Sequence, residues 1–233
     1  NELFFHTLIF FIFFSITLSI RGSGWDGDSI VNIAQFKKFF SPELFGIPDM
    51  GTTPKLLPIL FFGSYNFFFD SYAIHWPVML IISFSLAKAS LMENRLGGGK
   101  IWFILPFISP ALVFNILSAD NPALAISFYI LATVAFFEKK LLLGFFYLLL
   151  AELSRPGYAI LMVLILFFFF FLKDYDLNKN KKNISIILLL IIISFIHSIF
   201  FYKLGYTNFE EYRNNNWNTF NVNVDFIVRN IFF

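Results

Sequence analysis

Leu3-Phe-Phe-His-Thr-Leu-Ile-Phe-Phe-Ile-Phe-Phe-Ser-Ile-Thr-Leu-Ser-Ile20, followed at once by Arg21-Gly-Ser-Gly-Trp-Asp-Gly-Asp-Ser29, decides the fold. Eighteen residues without a charge, at 1.5 Å of rise each, are long enough to cross a bilayer as a helix. The run lacks a small-residue cleavage site and continues into Arg21 and glycines, so it reads as a retained helix rather than a signal peptide. Trp25 stands where an interfacial aromatic belongs, and Asp26 and Asp28 stand one residue apart at the mouth of the helix. Carboxylates at a membrane surface are costly unless solvated, paired or used.

The rest of the chain repeats the theme. Further apolar segments are Tyr72–Ala89, Ile101–Leu117, Pro122–Phe137, Leu141–Leu153, Pro156–Leu172 and Ile184–Tyr202, with Phe226–Phe233 as the start of another. Leu141–Leu153 is short for a full crossing; it either runs on into its neighbours or enters a protein-lined cavity. The composition agrees: 58% of the 233 residues are hydrophobic, 14% are charged, and the mean hydropathy is +0.73. These values exclude an ordinary soluble domain. The expected fold is an all-α membrane protein, a polytopic bundle of roughly 7–8 transmembrane helices with a long first outer loop. Residues 1–233 read as one transmembrane domain, the N-terminal part of a longer module. Aromatic content is dominated by 37 Phe, and the net charge is +2, so no nucleic-acid footprint is visible. Cysteine is absent, which removes disulfides, thiolate metal sites and cysteine nucleophiles.

Lysine and arginine placement orients the bundle. Lys88, Arg95 and Lys100, then Lys139 and Lys140, then Lys173, Lys179, Lys181 and Lys182 crowd three short connections, which are therefore expected in the cytoplasm. Asp26, Asp28, Asp120, Asn121, Arg155 and the Lys203–Asp225 loop then share the extracytoplasmic face. Within the first outer loop, Ser29–Phe40 has Ile30, Ile33, Ala34, Phe36 and Phe40 on one side. It reads as an amphipathic helix in the interface plane, capped by Asp28 or Ser29 and stopped by Ser41-Pro42. Pro54–Phe62 reads as a second short helix, and Gly97-Gly-Gly-Lys100 as a turn.

Several residues are candidates for chemistry on the outer face. Asp26 has no helix to cap and is the leading candidate for a general base or a metal-binding carboxylate; Asp28 is the second, with capping as its competing duty. A divalent cation is the one cofactor this pair suggests. Arg155, in Leu153-Ser-Arg-Pro-Gly157, offers a bidentate clamp for a phosphate, or else pairs with Glu152 or snorkels to the interface. Asp120-Asn121-Pro122 is sufficient as a helix cap, with a substrate-facing role in addition. Lys55 is placed to reach a lipid phosphate. His6, His75 and His197 fall on three separate apolar runs, match no metal spacing, and read as packing or interfacial residues. There is no Walker loop, Rossmann glycine pattern, nucleophile elbow or zinc signature.

One helix, an acidic motif, a long outer loop with an interfacial helix, Thr53-Pro-Lys-Leu-Leu-Pro58 and Ser154-Arg-Pro-Gly157 together resemble the GT-C-type membrane glycosyltransferases. That group contains protein O-mannosyltransferases and the aminoarabinose and hexose transferases of bacterial envelopes. The resemblance spans the whole chain as the N-terminal part of such an enzyme. It implies Asp26, then Asp28, as base or metal ligand, and Lys55 and Arg155 as partners of a lipid phosphate. The order of the Lys55 segment departs from the family's Lys-Pro-Pro-Leu type, and Ser154–Gly157 lacks the glutamate of an Arg-Pro-Glu-Gly-like element. The implied activity is sugar transfer from a polyprenyl-phosphate donor to a glycan, lipid or protein acceptor at the outer face of the bacterial inner membrane. The competing readings are a transporter or flippase, and an envelope polysaccharide polymerase or ligase handling lipid-linked sugars.

Overall fold

A computed structural model describes residues 2–21, 56–69, 75–109, 113, 121–171 and 183–199. Within them the chain forms eight α-helices and no strands. They are α1 (Glu2–Arg21), α2 (Leu56–Phe69), α3 (His75–Arg95), α4 (Ile101–Ile108), α5 (Asn121–Phe137), α6 (Leu141–Ser154), α7 (Tyr158–Phe171) and α8 (Asn183–Ile199). Two of them, α1 over Glu2–Ile20 and α3, are long and apolar enough to cross a membrane by length and composition. The expected helical bundle is therefore present in its coarse form.

α1 and α3 meet the same test in different ways. Only 11% of the α1 span is buried, against 61% of the α3 span, so α1 rides on the outside while α3 is central. Phe10 and Phe14, one turn apart, form the buried stripe of α1 and pack on Met79, Ile82 and Leu86 of α3. The hydroxyls of Thr7, Ser15 and Thr17 donate to the carbonyls of Leu3, Phe11 and Phe13 at 2.7, 2.7 and 2.8 Å. A polar side chain in an apolar helix thus finds its acceptor within its own backbone. α3 buries small residues, Ser83, Ser85, Ala87, Ala89 and Ser90, which let neighbouring helices approach closely.

The connections are tight and set the helix directions. α3 ends in a Schellman turn: Gly98 N–H donates to Glu93 O at 3.0 Å and Gly97 N–H to Asn94 O at 3.2 Å, with Gly97 at φ +69°. This is the expected glycine turn. α5 ends the same way, Lys140 N–H to Ala135 O at 2.8 Å and Lys139 N–H to Phe136 O at 2.9 Å, but with Lys139 as the left-handed residue, φ 58°. Glu138 then joins the two turns, 3.9 Å from Arg95 and 2.7 Å from Lys140. α3 and α5 thus end together, and His6 near the start of α1 lies 3.4 Å from Ser90 near the end of α3. One end of the bundle holds Glu2, Arg95 and Glu138. The opposite end holds Arg21, His75, Asn121 and the α6–α7 turn.

Two expected boundaries are corrected. The span expected over Ile101–Leu117 is interrupted: its first helix stops at Ile108, and Val113, the one described residue beyond Ser109, is helical, its N–H donating to Ser109 O at 3.2 Å. Ser109 is extended, at φ −105° and ψ 94°, because the residue before Pro110 is driven out of the α region. The short helix expected at Pro54–Phe62 is helical from Leu56, the first described residue there, and continues past Phe62 to Phe69. Its Phe62 is fully buried with Val78 of α3 and Ala123 and Leu124 of α5, so the later part of the expected outer loop belongs to the bundle. The expected interfacial helix at Ser29–Phe40, the Lys203–Asp225 loop and the Phe226–Phe233 segment lie outside the described residues.

Candidate functional site

α6 is apolar over its whole length except near its end, where Glu152 is completely buried. A carboxylate in such a place costs several kcal/mol, by rough estimate, unless its oxygens are saturated. The sequence saturates them from two directions. Beyond Ser154 the chain must leave the helix: Arg155 precedes proline and is extended, at φ −150° and ψ 119°, while its N–H still donates to Ala151 O at 2.8 Å. Gly157, at φ +132°, then reverses the chain into α7. This turn folds the first residues of α7 back over the end of α6. Glu152 Oε2 accepts the N–H groups of Gly157 at 2.8 Å, Tyr158 at 2.6 Å and Ala159 at 3.2 Å. Those donors have no partner within their own helix, and the carboxylate meets the positive end of the α7 dipole.

Glu152 Oε1 faces α8. The Ser198 hydroxyl donates to it at 2.5 Å, and His197 Nδ1 lies 3.3 Å away. One turn earlier on α8, the buried Ser194 hydroxyl points at the Met162 sulfur of α7, 3.1 Å away. Around this polar knot Leu148 and Leu149 of α6, Met162 of α7 and Ile187 and Ile191 of α8 form one apolar cluster. The Tyr158 ring packs on Tyr129 of α5 with centroids 5.9 Å apart. A single buried carboxylate therefore ties α6, α7 and α8 together at one end of the bundle.

The same device appears in weaker form at the opposite end. Glu93, third from the end of α3, accepts the N–H groups of Ile101 at 3.2 Å and Trp102 at 3.0 Å and so caps α4. Glu152 stands third from the end of α6. Glu93 is half-buried, whereas Glu152 is fully buried and carries α8 as well.

Of the residues singled out from the sequence, Arg155 lies in the α6–α7 turn, half-buried, at the same end as Asn121, the first residue of α5. Asp26, Asp28, Lys55 and Asp120 lie outside the described residues. Among the described residues no group of three or more His, Cys, Asp or Glu side chains could hold a metal ion. Glu152 does more than the sequence reading allowed it. Considered only as a counter-charge for Arg155, it is engaged by three backbone N–H groups, a hydroxyl and an imidazole. His197, read as a packing histidine, is a partner of that carboxylate. The signal was in the sequence: each is an ionisable residue inside an apolar run, which marks a functional or interhelical role by default. His6 keeps the packing role expected of it, tilted on the Phe103 ring at 5.5 Å.

No protein-family model, no curated protein and no solved structure matches this chain.

Proposed function

We propose that the chain is a multi-pass integral membrane protein of the cell envelope and a glycosyltransferase that uses a polyprenyl-phosphate sugar. The membrane reading rests on apolar side chains turned outward from α7 and α8. Ile160, Leu164, Ile196 and Ile199 are each 60% or more exposed, a surface that lipid covers and water does not. The transferase reading rests on the short motifs and on one observation: the Ser154–Gly157 turn with Arg155 stands at the same end of the bundle as the exit of α1. Asp26 follows Arg21 by five residues, so the chain can carry it no more than roughly 18 Å from that exit. A base on this loop and an arginine on the α6–α7 turn can therefore serve one substrate. Asp26 would take the acceptor hydroxyl proton, with Asp28 beside it and a divalent cation as an optional partner. Arg155, with Lys55, would stabilise the lipid phosphate as it leaves, and Asp120 and Asn121 would line the donor side. The buried Glu152 cluster sits at the end of the bundle, not at mid-depth, so it lends no weight to a transporter reading.

Turnover of a polyprenyl-phosphate sugar by the purified full-length protein tests the proposal. Asp26→Asn is expected to lose about 10²–10⁴-fold in rate while remaining folded and inserted. Asp28→Asn should lose less, because asparagine caps a helix nearly as well. Arg155→Lys should be impaired, since an ammonium cannot reproduce the bidentate fork. Full activity in Asp26→Asn removes the assignment.

A further inference from the structure

We propose that the negative charge of Glu152 is a latch that holds α8 in register against the α6–α7 turn, so that neutralising this one carboxylate undocks α8 without unfolding the bundle. The proposal does not depend on which reaction the protein carries out. It rests on the asymmetric use of the two oxygens. Oε2 is devoted to three N–H groups of the Gly157–Ala159 segment, a local cap joining two helices adjacent in sequence. Oε1 is devoted to Ser198 and His197, which come from a helix some 45 residues further on. The long-range contact therefore hangs on one oxygen, while the local cap hangs on the other. Hydrogen bonds to an ionised acceptor are about twice as strong as neutral ones, so loss of the charge weakens both sets; α6 and α7 stay joined through the Arg155–Gly157 turn, whereas α8 has no such covalent tether here. α8 also meets this region through the apolar side chains of Ile187 and Ile191 and the soft Ser194–Met162 contact. Along its other side α8 is exposed, with Leu189, Ile192 and Ile196 each more than half accessible. A helix held on one side by a modest apolar seam and one charged knot is suited to move as a unit.

The titratable groups near the latch can be named. Arg155 lies on the turn, Tyr158 begins α7, Tyr129 of α5 stacks on Tyr158, and His197 comes from α8. The test must separate Glu152 from each of these neighbours.

The absence of cysteine makes the test direct. Ser194→Cys places a buried thiol in the contact between α8 and α7, and Ser127→Cys places one in α5, where Ser127 is fully buried and donates to Ala123 O. In the protein in lipid, the rate of modification by a small membrane-permeant methanethiosulfonate follows the opening equilibrium at each site when reclosing is fast. Glu152→Gln keeps the shape and one acceptor oxygen but removes the charge. It is expected to raise the Ser194→Cys rate about tenfold and to leave the Ser127→Cys rate unchanged. The ratio of the two rates, in which the reactivity of the thiol itself cancels, should rise on acidification in the Glu152 protein and stay flat in Glu152→Gln. If the ratio still rises with acid in Glu152→Gln, a group other than Glu152 is responsible and the latch is overturned. Unchanged rates at both sites overturn it as well. Equal acceleration at both sites does so too, since Glu152 would then only support the whole fold. Should Glu152→Gln fail to insert, Ser198→Ala removes one α8 donor and leaves the carboxylate and the α7 cap intact. A selective rise at Ser194→Cys supports the latch, and none overturns it.

Discussion

Lys139 holds a left-handed backbone that costs an L-residue roughly 1 kcal/mol, because Cβ crowds the following carbonyl. The equivalent position in the turn after α3 is Gly97, which has no such penalty. Lys139→Gly is therefore expected to stabilise the α5–α6 hairpin by about 0.5–1 kcal/mol, read as a higher midpoint of thermal unfolding in detergent. Its neighbour Glu138 makes a different kind of contribution. The hydrogen bond from Lys140, helped by the charges of Lys140, Lys88 and Arg95, holds its carboxyl below the ordinary carboxylate range, against a smaller opposing effect of burial. A depressed folded-state value means that the stabilisation is complete above the ordinary value of 4.5 and fades as pH falls below it. The pair is largely solvated, so the loss should stay under about 1 kcal/mol and shrink further in salt. Comparing wild type with Glu138→Gln between neutral and acid pH measures it, and a difference that grows on acidification would contradict the sign. Side chains of this sort are hard to read from sequence. Glu152 was visible as a lone acid in Leu141–Ser154, but its partners Gly157, Tyr158, Ala159, His197 and Ser198 depend on how the turn folds and where α8 docks.

At the scale of the element, hydropathy locates helices better than it locates their ends. α1, α5 and α6 fall within a residue or two of the apolar runs that announce them, because charge and turn residues bracket them sharply. α4 does not, because a window average sees only the phenylalanines and leucines on either side of Ser109 and misses a local backbone rule. α2 was underestimated for a related reason: Gly63, Ser64, Tyr65 and Asn66 look like loop residues, yet they ride in a helix whose buried face is set by Phe62. Packing between elements is still less legible. Gly144 of α6 is buried where the helix crosses α5, and a Cβ placed there would run into the Phe136 ring. Gly144→Ala is expected to destabilise the hairpin by roughly 1–3 kcal/mol, despite the better helix propensity of alanine. Loss of monodisperse protein on heating would report it, and the double variant with Phe136→Leu should recover most of the loss.

At the scale of the whole molecule, the described helices other than α2 alternate in direction, and that alternation sorts the polar residues by end. Arg95, Lys139, Lys140 and Glu138 gather at one end; Arg155, Asn121 and the Glu152 knot gather at the other. This separation of ends was legible from lysine placement alone, because short loops between apolar runs leave the chain no freedom but to alternate. The candidate site was legible only in part: Arg155 can be placed, whereas Asp26, Asp28, Lys55 and Asp120 lie outside the described residues. Orientation across the membrane is an independent question, which charge answers with a prediction. The turn at Gly97–Lys100 and the Lys173–Lys182 connection are both basic and short, so both should face the cytoplasm. Gly27 lies beyond the opposite end of α1 and should face outward. Single cysteines at Gly99, Asn180 and Gly27 can be introduced into a chain that has none, and probed in intact cells with a membrane-impermeant thiol reagent. Only Gly27→Cys should react before permeabilisation, and all three should react after it. Reaction at Gly99→Cys and Asn180→Cys with protection at Gly27→Cys would invert the molecule and place the proposed site on the cytoplasmic side. Different behaviour at Gly99→Cys and Asn180→Cys would mean that the helices between them do not cross in simple alternation, and the shared outer face would fall with it.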